Sequence, residues 1–426
     1  MGNVKRIPYG VSNFLDIVQR NQYYVDKTMY IPKLEAEADS LFFIRPRRFG
    51  KSLLLSMLRA YYDINMKDRF QELFGNLWIG SHPTPEQGLY QVLLLDFSKI
   101  TGNIETLPEE FNIYCNIRLN DFIERYKDYY SAEFVQAVKA EKRAYSKLNM
   151  IDIQAKNRNI PLYLLVDEYD SLTNVVLKEH GEKIYRSLEL IGGFYSDVFN
   201  IFKGKFCRSF ISGLSPIALD DLIDGFNSGW HISTKPAFNQ MLGFSTKDVR
   251  EMFQYYKENG VIGKDSDIKI SLEELKSWYG NYCFSENALE TQSEVFNCDM
   301  VLNYLNKYMK IGKSPEQLIP LNTKTDYDKT KKLLQLNKLN GDHKRGIYKI
   351  AEKGEVVSNL ETSASAKDLL NPNIFFSLLF SYGMLTIKGT RGDMMILGIP
   401  NNNVRKYLME QYGEKIPLDI EVEVIH

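Results

Sequence analysis

Four short apolar runs constrain this chain more than anything else in it: Ser40–Arg45 (SLFFIR), Gln91–Phe97 (QVLLLDF), Pro161–Asp167 (PLYLLVD) and Lys205–Ser212 (KFCRSFIS). A strand with one face in water alternates apolar and polar residues. The last three runs are nearly continuous instead, which requires cover on both faces, as parallel strands of an α/β sheet have. The segments between the runs are long enough for crossover helices. Asn112–Tyr145 is the clearest, with Ile117, Leu119, Phe122, Ile123 and Tyr126 at helical spacing.

The first run leads into Arg45-Pro-Arg-Arg-Phe-Gly-Lys-Ser52, and LLLSMLRAYY follows. Strand, loop and helix in that order, ending in Gly-Lys-Ser, match the end of the G-x-x-x-x-G-K-[ST] phosphate loop. The physics is specific. Gly50 lets backbone N–H groups curl around phosphate oxygens. Lys51 brings an ammonium to the β- and γ-phosphates, and Ser52 a hydroxyl to Mg²⁺. The helix that starts at Ser52 points its positive end at the anion. The whole stretch Arg45, Pro46, Arg47, Arg48, Phe49, Gly50, Lys51, Ser52 and Leu53 is therefore the expected nucleotide-binding segment. Arg45 stands where the pattern has its first glycine. Guanidinium forks suit phosphate oxygens, and Arg48 or Arg47 is expected to add charge in the transition state.

The third run ends in Asp167-Glu168. A carboxylate at a strand end is weak evidence alone. Beside a phosphate loop at the carboxyl edge of one sheet it becomes strong, because ligands of open α/β sheets lie at that edge. Asp167 and Ser52 are the expected metal ligands. Glu168 is the expected base for an attacking water. Asp170 reads as a helix-start residue. The fourth run ends at Ser212, whose hydroxyl is expected to reach the γ-phosphate or the water as a sensor. The expected catalytic set is thus Glu168, Lys51, Ser212 and Arg48, with ATP and Mg²⁺ as ligands. No N-K-x-D guanine-reading motif is evident.

The pattern changes after Gly243. Ser245-Thr-Lys-Asp248 and Ser271-Leu-Glu-Glu274 read as capping boxes that start helices, Gly280 as a helix end, and Asp299–Met309 as a further helix. Residues 373–382 read as a helix, Met384–Lys388 and Met394–Ile399 as a hairpin, 401–403 as a surface turn, and Val404–Tyr412 as a last helix. The expected division is 1–243 for the nucleotide core, 244–318 for a helical lid and 319–426 for a C-terminal winged-helix-like α+β module. Three parts suit 426 residues at roughly 150 per domain.

Lys+Arg 53 against Asp+Glu 54 excludes a strongly basic nucleic-acid coat. Lys310, Lys313, Lys324, Lys329, Lys331, Lys332, Lys338, Lys344 and Arg345 nevertheless make one stretch basic. Either a solvated face or a nucleic-acid contact of the C-terminal module explains it. The four Cys form no C-x-x-C pair, none of the five His pair at metal-ligand spacing, and no G-x-S-x-G elbow occurs. No stretch reaches about 18 apolar residues, so no membrane span is expected. The start has no apolar leader, so the chain is expected in the cytoplasm. Oligomeric state is open.

RPRRFGKSLLLSML, LYLLVDEYDSL and FISGLSPIALDDLIDGFN resemble the bacterial AAA-ATPase-like family. Tyr24–Thr28, Ile232–Pro236 and Leu242–Phe244 extend the resemblance, which covers about residues 7–310. In that family the arginine-rich loop is usual. The resemblance implies an additional-strand P-loop core with Walker B and sensor strands and a helical lid. Many members carry a C-terminal PD-(D/E)XK nuclease-like domain, which requires an acidic residue followed by an E-x-K strand. Asp419, Glu421 and Glu423 alternate without a following Lys, so the nuclease is expected to be absent.

Overall fold

In a computed structural model, residues 4–178, 183–220, 229–264, 266–291, 293–318, 350, 353–371 and 374–412 are described. The four apolar runs form β1 (Ser40–Ile44), β2 (Gln91–Asp96), β3 (Leu162–Asp167) and β4 (Arg208–Gly213). A short β5 (Gly229–His231), which the sequence reading did not find, completes the sheet. The order is β2-β3-β4-β1-β5 and every pairing is parallel. β4 therefore lies between the strand feeding the phosphate loop and the strand ending in Asp167.

Successive side chains of a strand point to opposite faces, and here both faces are dry. Leu41 and Phe43 of β1, with Tyr163 and Leu165 of β3, enter one core. Phe42 and Ile44, with Leu164 and Val166, enter the other. This two-sided burial is why the runs do not alternate. Helices α1 (Phe14–Gln19) and α2 (Lys51–Tyr62) cover the first face. The second is covered by α3 (Leu107–Arg125), α4 (Ala132–Ala140), α5 (Ala144–Asn157) and α6 (Lys183–Phe202). The crossover stretch Asn112–Tyr145 runs through three helices, the second starting after Ser131, whose side chain accepts the Phe134 N–H. Leu119, Phe122, Ile123 and Tyr126 are buried as their spacing predicts, but Ile117 is 60% exposed.

The 27 tyrosines have a visible use at the sheet margin. β2 is an edge strand, and an open edge invites pairing with another chain. The Tyr126 hydroxyl oxygen accepts the Val92 N–H at 2.9 Å, and that of Tyr114 accepts the Asp96 N–H at 2.7 Å. Helix α3 thereby caps part of the edge.

Downstream, α7 (Thr246–Glu258), α8 (Ile268–Tyr279) and α9 (Cys298–Ile311) pack around Val249, Phe253, Leu275 and Tyr304. The capping box of Ser245 and Asp248 forms as expected. Ser271 is not a helix start: α8 begins three residues earlier, because Asp267 accepts the N–H groups of Lys269 and Ile270. Gly280 ends that helix in an extended conformation. Further on, α10 (Phe375–Ser381) precedes a hairpin of β7 (Thr386–Arg391) and β8 (Met394–Gly398). A third strand that the sequence reading missed, β6 (Glu355–Ser358), pairs antiparallel with β8. Residues 401–403 are not a surface turn, since Asn401 and Asn403 are buried. Asn401 Nδ2 donates to Gly280 O, and its Oδ1 accepts the Val404 N–H at the start of α11 (Asn402–Tyr412).

Phe375, Leu379, Leu385 and Leu397 share a core with Phe43 and Leu54 of the phosphate-loop side. The join is tight at Gly383, where a β-carbon would meet Pro46 at 3.0 Å. Of the basic stretch, only Lys310 and Lys313 fall among the described residues, and the acidic triplet at 419–423 lies outside them. Among the described residues no helix is long and apolar enough to cross a membrane.

Candidate nucleotide site

The loop between β1 and α2 turns twice through left-handed backbone, at Arg48 (φ 66°) and at Gly50 (φ 98°). The second turn is cheap for glycine, whereas the first is strained for a residue with a β-carbon. Helix α2 starts at Lys51, one residue before its expected start. Lys51 is buried, and its Nζ donates to the carbonyls of Arg45 (2.8 Å) and Pro46 (3.0 Å). Burial lowers its pKa, against the opposing pull of Asp167, Glu168 and Asp170.

Asp167 joins the ends of β3 and β4 to the start of α2. Its Oδ2 accepts from Ser52 Oγ at 2.6 Å, and its Oδ1 from Ser212 Oγ at 2.9 Å and from the Glu168 N–H at 3.0 Å. Burial raises its pKa, while the two hydroxyls and Lys51 pull the other way. Ser212 thus sits between the loop strand and the acidic strand, as its position in the sheet predicts. Its hydroxyl donates to Asp167, whose carboxylate it helps to orient.

Glu168 adopts a left-handed backbone conformation (φ 50°), and its Oε2 accepts from Ser171 Oγ at 2.8 Å. Asp170 is buried and accepts the Leu214 N–H. Gly213 is required by close approach, since a β-carbon there would come within 2.4 Å of the Tyr169 ring.

A cavity of about 320 Å3 opens over the loop, in the range of small-molecule sites. Its lining includes Arg47, Arg48, Lys51, Ser52, Leu53 and Glu168, together with the apolar side chains of Pro8, Val11, Met241, Leu242, Phe244 and Leu302. The sequence reading gave no role to the N-terminal segment, to Met241 or to Asp299, which also lines the cavity. Leu242–Phe244 did appear in the family resemblance.

Two members of the expected binding segment, Arg45 and Pro46, do not line the cavity, and a third, Phe49, only borders it. Arg45 is a correction. The residue is 1% exposed, and its guanidinium donates to the carbonyls of Ile44, Ser233 and Phe238. It is stacked between the rings of Phe43 and Phe284 at 4.4 and 4.2 Å. Burial pushes its pKa down to about 9. Its backbone serves the loop, through the carbonyl that holds Lys51, but its side chain belongs to the core. Pro46 likewise contributes a carbonyl to Lys51 while its ring faces Gly383. Phe49 is buried edge-on to Tyr282 and Phe284, although it borders the cavity.

The residues present fit a magnesium nucleotide. Mg²⁺ is commonly held by one or two protein oxygens together with phosphates and water. A hydroxyl and a carboxylate 2.6 Å apart, beside a buried ammonium, supply that oxygen pair and a phosphate counter-charge.

A five-stranded parallel sheet with an additional strand between the phosphate-loop strand and the acidic strand defines a P-loop NTPase fold. The family described as "Predicted AAA-ATPase" matches residues 8–223, slightly more than half of the chain, and the chain belongs to this AAA-ATPase-like family. It is 24% identical over 302 residues to an uncharacterized protein in the vnfD 5' region of Azotobacter chroococcum mcd 1. That match covers 67% of this chain and 50% of the relative, so the chain spans about half the relative's length. The Orc1 protein of Aeropyrum pernix, solved in complex with DNA, aligns with 95% of this chain and 94% of its own at 10% identity. Its TM-score is 0.30, and a likeness of that degree carries nothing about what this chain binds.

Proposed function

We propose that this protein binds ATP with Mg²⁺ and hydrolyses it, and that the bound nucleotide biases the position of the helical lid at 244–318 relative to the core at 1–243, with 319–426 as an appended module. The observation that carries the reading is the 2.6 Å hydrogen bond from Ser52 to Asp167. It joins the phosphate-loop helix to the acidic strand across the intervening β4, and Ser52 itself lines the cavity.

Lys51 exchanges two loop carbonyls for β- and γ-phosphate oxygens. The N–H groups at the start of α2 face the same anion. Ser52 and Asp167 would hold Mg²⁺, which supplies charge neutralisation between the phosphates. Ser212 keeps Asp167 in its rotamer. Glu168 orients a water and takes its proton as the water oxygen attacks the γ-phosphorus. The bond from that phosphorus to the β,γ-bridging oxygen breaks, and ADP and phosphate leave. Arg47 or Arg48 adds positive charge as the phosphoryl group transfers.

Steady-state phosphate release tests this. Lys51→Ala and Glu168→Gln are each expected to lower it by about a hundredfold or more, with Glu168→Gln still binding ATP. Release from wild type no faster than from both variants would overturn hydrolysis. A switch that binds without hydrolysing is then the reading, and one observation favours it: Ser171 already holds Glu168 Oε2.

A further inference from the structure

The start of one lid helix holds the phosphate loop, beside the ring contacts that Tyr282 and Phe284 make with Phe49. Asn297 is the N-cap of α9, and its Nδ2 donates to Arg47 O at 3.3 Å. Cys298 Sγ donates to Phe49 O at 3.4 Å, and the Asp299 N–H to Arg48 O at 3.4 Å. These three contacts hold loop backbone. A fourth is made by a loop side chain: Arg48 Nη1 donates to Asp299 Oδ2 at 2.7 Å. Both partners are mostly sheltered, with side-chain exposures of 19% and 20%.

This placement is costly in two ways. Arg48 is held in left-handed backbone at the loop's first turn, a region that a β-carbon disfavours. Asp299 brings a carboxylate to the cavity that Lys51 and Ser52 also line, where a triphosphate would face it across a partly dry space. A lid designed only to hold a polyanion would not present an acid there. The pair makes sense if the acid occupies Arg48 while no terminal phosphate is present.

We propose that Asp299 is a specificity-determining residue. It holds the Arg48 guanidinium against the lid in the nucleotide-free protein and yields it to the terminal phosphate, so that ATP and not ADP breaks the contact. The inference rests on reading the cavity as an ATP site. Two anions compete for one fork, and the lid is released from the loop side chain only by the longer nucleotide. The three backbone contacts remain as the lid's hinge.

Calorimetric titration of the full chain with MgATP and MgADP tests it. Asp299→Asn removes the charge and keeps an acceptor. It is expected to raise ATP affinity about fivefold relative to ADP, the worth of a partly exposed ion pair. Asp299→Ala is expected to change affinity in the same direction, so misfolding of one variant leaves the other. Arg48→Ala should bring ATP affinity down towards that of ADP, and adding Asp299→Asn to it should then change nothing. If wild type binds neither nucleotide, the ATP reading falls and takes the proposal with it. If wild type binds ATP but the Asp299 variants leave the ATP-to-ADP ratio alone, or act equally without Arg48, the proposal alone falls.

Discussion

The two ends of the central sheet both bury charge, and they do so in opposite ways. At the amino end, Arg208 Nη2 meets Glu86 Oε1 at 2.6 Å, and Tyr90 donates to the other oxygen of the same carboxylate at 2.8 Å. Beside them Glu35 Oε1 accepts from Tyr62 and Thr84, while burial raises its pKa. Every one of these charges ends on a partner that can satisfy it. At the carboxyl end the cation and the acid are not paired with each other. Lys51 rests on two carbonyls and Asp167 on two hydroxyls and an amide. Buried charge alone therefore marks no site. A cation parked on neutral acceptors, beside an open cavity, is what a phosphate can claim.

The largest expected effect that sharpens this contrast is at the amino end. Arg208→Ala leaves Glu86 sheltered without its cation, and removing one partner of such a pair costs about 3 kcal/mol. Denaturant titration should show that loss, while nucleotide affinity stays at the wild-type value. A changed affinity with unchanged stability would reverse the roles assigned to the two ends.

A smaller effect concerns pH. His231, at the end of β5, faces Ser233 Oγ at 2.9 Å. The same hydroxyl accepts the Ile44 N–H at 2.7 Å. Burial, with Arg45 adding repulsion, pushes the His231 pKa down to about 4. The unfolded chain then binds the extra proton at a higher pH than the fold does. Stability supplied by the neutral ring is whole above the ordinary histidine range near 6.5 and is lost as pH falls towards 4. The slope from this group is at most about 1.4 kcal/mol per pH unit. Melting curves between those limits should flatten by about that slope in His231→Gln, which keeps an acceptor for Ser233. Equal slopes in the two proteins would show that the ring takes up its proton alike in the folded and unfolded chain.

What the sequence made legible follows from geometry of the same kind. β1 to β4 were readable because strands covered on both faces leave unbroken apolar runs. β5 and β6 were not, since three or four residues at a margin leave no such run. Gly50, Lys51, Ser52 and Asp167 were readable because their spacing in the chain reflects a single loop and a single strand end. Arg45 was misread because position in a loop says nothing about which way a side chain leaves it. Asp299 was invisible for another reason. It stands 251 residues from Arg48, and nothing near it in the chain announces the loop it touches.

The least expected change in stability is also the most discriminating. Lys51→Met removes a buried ammonium and with it the cost of desolvating that charge, but strands two carbonyls. These terms are each about 1–3 kcal/mol and oppose one another. The melting midpoint of the nucleotide-free variant should therefore stay within about 1 kcal/mol of wild type, far from the loss expected of Arg208→Ala. Added MgATP separates the two again. A ligand present at a hundred times its Kd stabilises the fold by about 2.7 kcal/mol. Wild type and Arg208→Ala should both show that gain, and Lys51→Met should not. Were Lys51→Met to destabilise the free protein as severely as Arg208→Ala, the ammonium would be a fixed part of the core like Arg45, and the two ends of the sheet would not differ in kind.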